Sequence, residues 1–188
     1  MFALTALNGF NAFTPSNFIK SVQQVTITIN INNLTATASI SSVNTANTFV
    51  ILQGYTSTNT AKNGNIDRTR VTLTYATTVT ATRNSTSATF AIMLKAVIVE
   101  CYPYFVESVQ YGLITITAGT SNTATITSVD TTRSAVIYLG ETTTAGGANS
   151  NTYVTRFTLT DATTVTAQLR SAGTVSAAFC VVQFHAAA

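Results

Sequence analysis

Residues 70–81 read Arg-Val-Thr-Leu-Thr-Tyr-Ala-Thr-Thr-Val-Thr-Ala, and residues 156–167, 86 positions later, read Arg-Phe-Thr-Leu-Thr-Asp-Ala-Thr-Thr-Val-Thr-Ala. Only the second and sixth positions differ. The match runs back without a gap: Ile40, Ser42, Val43 and Thr45 return as Ile126, Ser128, Val129 and Thr131, and Val50, Ile51 and Gly54 return as Val136, Ile137 and Gly140. Across residues 38–81 about half of the positions are identical, which marks an internal duplication. Within the stretch, Val71, Leu73 and Tyr75 alternate with Thr72 and Thr74, the period of a half-buried strand. Ala76-Thr77-Thr78 then turns the chain, and Val79 and Ala81 begin the return.

Working outward, the same period continues. Val25, Ile27, Ile29 and Ile31 alternate with Thr and Asn, Asn32-Asn33 makes a turn, and residues 34–40 form a second strand. Residues 48–55 read as a strand covered on both faces, and residues 88–101 as a long central strand. No helical period of any length is present. The second copy predicts strands at 113–117, 123–129, 134–140, 154–160, 165–169 and 175–184. The expected fold is all-β: two tandem, internally duplicated β-sandwich modules, jelly-roll or immunoglobulin-like, at 21–104 and 105–188. An irregular N-terminal arm, 1–20, precedes them. Residues 102–105, Tyr-Pro-Tyr-Phe, form a stiff connector that fixes the angle between the modules. Two polar stretches, 56–67 and 141–151, read as long loops of the kind that often carries function.

Composition narrows the class. Charged residues make up 8% of the 188, and apolar residues 46%, interleaved with Thr, Ser and Asn so that no run reaches the ~18 needed to span a bilayer. The net charge is +3, but the basic residues are scattered singly, which argues against a nucleic-acid surface. Cys101 and Cys180 occupy different positions in the repeat and read as buried free thiols. The first residues lack the basic and apolar segments of a signal peptide, so the chain is expected to be made in the host cytoplasm.

Catalytic chemistry has little to stand on. His185 lies near the C-terminus without a partner acid or nucleophile, and none of the six acids recurs between the copies: Asp130 answers to Asn44, Asp161 to Tyr75 and Glu141 to Tyr55. No phosphate loop and no Cys/His cluster is present. No catalytic residue, metal site or cofactor is expected. Two features stand out as candidate sites. Arg70 and Arg156 head the signature strand in both copies and are placed either to pin a neighbouring segment by a bidentate hydrogen bond or to lie over apolar surface at the rim. Phe2, Leu4, Leu7, Phe10, Phe13 and Phe18 give the arm an apolar character that suits docking on a partner or packing on the first module.

The run from Val22 to Phe184 resembles the tandem β-rich repeats of structural proteins in tailed-bacteriophage virions. The resemblance is carried by the two signature strands and by the closing Val181-Val182-Gln183-Phe184, which the first copy replaces with Val97-Ile98-Val99-Glu100. It implies a virion component. A rigid two-module chain with a Phe-rich arm is expected to be a capsid decoration protein, bound to the major capsid protein or other virion subunits and homo-oligomeric, with no nucleic acid and no membrane as partner. The alternative is a tail-associated or head-fibre module that binds a receptor or host-surface glycan through the two long loops.

Overall fold

The computed structural model describes residues 18–58, 64–87, 89–144 and 154–186. In chain order the strands are β1 (Ile19–Ile29), β2 (Thr35–Ser39), β3 (Thr48–Ser57), β4 (Thr69–Tyr75), β5 (Thr78–Arg83), β6 (Ile92–Cys101), β7 (Val106–Thr125), β8 (Ser134–Thr143), β9 (Arg156–Asp161) and β10 (Thr164–Phe184). A single helical turn, α1 (Gly64–Asp67), precedes β4, and a 3-10 turn at Thr45–Asn47 precedes β3. The all-β class follows from the alternation seen in the sequence. In β5, for example, Val79, Ala81 and Arg83 point inward and the threonines between them do not.

In the first repeat β1-β6-β3 form a three-stranded sheet, and β2-β5-β4 form the near part of a seven-stranded one that continues across β4 and β8 as β2-β5-β4-β8-β10-β7, with β9 on β10. Every pairing is antiparallel. The pairs β1·β6 and β2·β5 therefore form one ribbon that bends from sheet to sheet of a β-sandwich, the kind of wrapping a jelly roll uses. In the second repeat that ribbon is unbroken. β7 does the work of β1 and β2, β10 that of β5 and β6, and they pair from Val106↔Phe184 to Thr125↔Thr164. β8 lies on the far half of β10 as β3 lies on β6, and β9 on its near half as β4 lies on β5.

The six separate strands expected of the second copy are therefore four. Two long strands bend without breaking, through register shifts near Gly119 and Gly173 and a positive φ of 50° at Ala118. The first repeat breaks at the corresponding places because Arg83 holds the chain there. Its guanidinium, 1% exposed, donates to the carbonyls of Asn33, Phe90 and Asn30 at 2.7, 3.0 and 3.0 Å. Leu169 stands in its place in the second repeat and cannot hold a loop by hydrogen bonds. The strand expected at 88–101 accordingly begins only at Ile92, and the one at 48–55 shows an outer side with Ile51 exposed. The expected loop 141–151 also begins late: Glu141, Thr142 and Thr143 are buried at the end of β8. Of the expected loop 56–67, Thr56 and Ser57 belong to β3 and 64–67 form α1.

Matched hydrogen bonds recur in the two repeats. Gln23 brackets Ser41, accepting from its N–H at 2.7 Å and donating to its carbonyl at 3.1 Å; Gln110 does the same to Thr127 at 2.7 and 3.0 Å. The Asn47 amide donates to Cys101 O, and the Arg133 guanidinium to Phe184 O. These pairs fix the structural correspondence: Val25 with Gly112, Ala96 with Phe179.

That correspondence exposes a volume exchange in the cores. The first core gathers Ile27, Ile29, Val50, Val71, Leu73, Val79, Leu94 and Ile98, and the second Ile114, Ile116, Val165, Phe179 and Val181. Where the first repeat pairs Val25 with Ala96, the second pairs Gly112 with Phe179. The Phe179 ring lies over the glycine, and Phe157 packs on it with centroids 5.4 Å apart. A Cβ on Gly112 would meet Phe179 Cζ at 2.2 Å. Gly112→Ala is expected to cost about 1–3 kcal/mol, as overpacking does. Gly119→Ala, on the same strand with nothing nearer than 3.6 Å, serves as the control. Urea unfolding of the two variants checks this, and equal midpoints would contradict it.

Candidate functional site

The first core is completed by the second repeat. Leu139, Ala178, Cys180 and Val182 lie on the outer side of the β8-β10-β7 sheet, and all four belong to the first cluster. That sheet closes the edge of the first sandwich between β3 and β4. β4 meets β8 through the bridge Arg70↔Gly140, and the Tyr111 hydroxyl donates to Thr48 O at 3.0 Å. Burial raises the Tyr111 phenol and pushes the Cys180 thiol up to about 12, which keeps it an inert thiol at neutral pH. Cys101 is likewise buried and free.

At the edge of this seam Arg68 and Glu141 form an ion pair, 7% and 1% exposed. The second carboxylate oxygen of Glu141 accepts from the Thr155 N–H at 2.9 Å. Both residues escape a search for recurring chemistry, because Arg68 answers to Val154 and Glu141 to Tyr55. The informative signal was the departure from the repeat. At these two positions the copies differ in charge because each copy meets a different neighbour there.

The two recurring arginines have different surroundings. Arg70 lies in the seam, half-buried, and its Nε has no hydrogen-bond partner among the described residues. Burial lowers its pKa. Arg156 lies on β9, where its Nη2 donates to the Gln168 side chain. Of the two readings offered for them, the bidentate pin is not among the described contacts. Of the arm residues, Phe2, Leu4, Leu7, Phe10 and Phe13 lie outside the described residues. Phe18 stacks on Phe105 with centroids 4.5 Å apart, and Phe105 touches Phe184 at 5.2 Å. The base of the arm is thereby tied to the junction of the repeats. Residues 102–105 make a tight turn there, with Phe105 N–H donating to Tyr102 O and the rings of Tyr102 and Tyr104 stacked. His185 belongs to the same end: its N–H donates to Phe105 O, and its Nε2 lies 3.1 Å from Pro103 O.

Each of the six acids accepts a bond that holds the fold. Asp67 takes the Ser57 hydroxyl and Asp161 the Thr163 N–H. Burial alone would raise the Glu100 carboxyl, but the Asn44 N–H, the Lys20 ammonium and the Ser21 hydroxyl outweigh it and hold its pKa down. Asp130 accepts from the Thr132 hydroxyl and from Arg133, which bring it to about 2. Arg133 reaches Glu107 as well. No group of three potential metal ligands occurs among the described residues.

Among the described residues, two grooves have a volume of about 490 Å³ each. One is lined by Gln53, Gly54, Tyr55, Thr56, Met93 and Lys95 on the outer side of β3 and β6. The other crosses three strands, taking in Thr120 and Ser121 of β7, Gln168, Leu169 and Arg170 of β10, and Arg156 of β9 with Val154 before it. Comparison of the chain with protein-family models, with curated proteins and with solved structures finds no match.

Proposed function

We propose that the chain is a non-enzymatic structural subunit of a bacteriophage virion, a capsid decoration protein held on the shell through its N-terminal arm. The observation that supports this reading is the commitment of all six acids to bonds that hold the fold, which leaves no paired carboxylates converging on a cavity. Jelly-roll wrapping, common in capsid proteins, adds support by analogy. The Phe18–Phe105–Phe184 stack ties the base of the arm to the junction of the repeats, which supports attachment through the arm. Multivalency on a symmetric shell would then strengthen attachment.

The test is to add purified protein to shells that lack it and to image the particles by cryo-electron microscopy. Regular density at lattice positions on the head is expected, and deletion of residues 2–17, which spares Phe18, is expected to abolish it. Unchanged occupancy after the deletion would remove the arm from the mechanism. Bare heads, with the protein on tails or on host polysaccharide, would replace the decoration role with the glycan-binding one.

A further inference from the structure

The seam inside the chain is asymmetric: an outer sheet side of the second repeat sits on an edge of the first. Each repeat carries both surfaces, so one of each is left over. The leftover side is the outer side of β1-β6-β3. There Ile51 stands where Ile137 stands in the seam, Gly54 where Gly140 stands, and Val22 and Met93 are exposed, 53% and 45%. Gly54 keeps a positive φ of 139°, as Gly140 does at 93°, yet none of the described residues lies within 4 Å of its Cβ position. The leftover edge belongs to the second repeat. Among the described residues β9 pairs with β10 alone, and Tyr138 and Val154 are exposed beside it. The groove lined by Gln53, Gly54, Thr56, Met93 and Lys95 lies on the first of these surfaces.

From this we infer that a second copy of the chain docks head to tail, the β1-β6-β3 side of one copy on the β8/β9 edge of the next, as the second repeat docks on the first. Superposing one relation on the other sets Gly54 against Thr155 and Arg156, where Gly140 meets Thr69 and Arg70. It sets Tyr55 against Val154 in place of Glu141 against Arg68. Both members of the ion pair are thus replaced together, and by uncharged residues in both places. A charge on only one of them would have been left buried and unpaired, so the joint change is what a retained contact requires. A terminal repeat that merely caps the stack would carry a polar outer side throughout; here Val22, Ile51 and Met93 persist. Lys95 and Gln53, in place of Ala178 and Leu139, make the contact more polar than the internal seam, as befits one formed between soluble copies. Because the contact is heterologous it propagates, closing into a ring if the rotation between copies permits. The inference does not depend on where in a virion the protein sits.

The experiment is sedimentation velocity over a concentration series on the full chain and on two variants, Ile51→Asp and Val154→Asp, each at an exposed position and each checked for folding by near-ultraviolet circular dichroism. The wild-type chain is expected to self-associate, and each variant alone to sediment as a monomer. An equimolar mixture of the two retains one intact junction and is expected to give dimers that grow no further. Should one variant misfold, Met93→Asp replaces Ile51→Asp and Tyr138→Asp replaces Val154→Asp. A wild-type monomer at every concentration, self-association untouched by both variants, or a mixture that stays monomeric would each overturn the inference. A monomer that associates only after deletion of residues 2–17 would do so too, since the arm would then be the occupant of that side.

Discussion

Glu141→Ala is expected to lower the stability of the chain by about 3–5 kcal/mol, the usual loss when one member of a buried ion pair is removed. Three consequences combine. Arg68 loses its carboxylate while 7% exposed, the Thr155 N–H loses its acceptor, and a cavity opens at the edge of the seam. The pair spans the two repeats, so the loss should appear as weaker cooperativity between them as well as a lower midpoint. Urea unfolding measures both, since a smaller m value reports less surface exposed in one step. Removing both charges, Arg68→Met with Glu141→Gln, is expected to cost less than the sum of the single changes, because the glutamine oxygen can still accept from Thr155 and no charge is stranded. A loss under about 1 kcal/mol for Glu141→Ala, the level of a surface pair, would show that the pair does not hold the seam.

The second large effect is expected at Gly140. Alanine there must adopt a φ of 93°, and its Cβ would stand 2.3 Å from Thr69 O and 2.8 Å from Arg70 Cα. Strain of about 1–3 kcal/mol adds to a clash of similar size. The obstructing atoms are backbone, so β4 must retreat and break the Arg70–Gly140 bridge. Gly54→Ala, at the corresponding position of the first repeat with none of the described residues within 4 Å, carries the strain alone. Thermal unfolding of the two variants compares them directly. The excess loss in Gly140→Ala measures how tightly the repeats are joined, and equal losses would mean that β4 and β8 are not in register as described.

The fold class was legible because a period of two, copied twice, leaves few alternatives. Val71, Leu73, Val79 and Ala81 face the core as their spacing implies, and the bonds around Asn44 and Asp130 repeat because the turns were copied with the strands. What was not legible was where strands end. Arg83 reads as one charge in a polar turn, and only its three carbonyl bonds show why the first repeat breaks where the second runs on. The seam was hidden for a related reason. A repeat draws attention to what recurs, whereas Arg68, Glu141, Leu139 and Tyr111 matter because they do not recur. Arg70 and Arg156 show the converse, since the same residue in both copies serves a crowded seam in one and an open edge in the other.

The exchange of Val25–Ala96 for Gly112–Phe179 also bears on how such a chain finds its structure. Two near-identical signature strands in one polypeptide invite each repeat to pair with the wrong half of the other, a common failure of repeat proteins. A β10 that strayed onto β1 would press Phe179 against Val25 instead of Gly112, and a β6 laid on β7 would face Ala96 to Gly112 and leave a void. The aromatic row of Tyr138, Phe157 and Phe179 thus acts as an identity mark, telling one half of a duplicated polypeptide from the other while it folds.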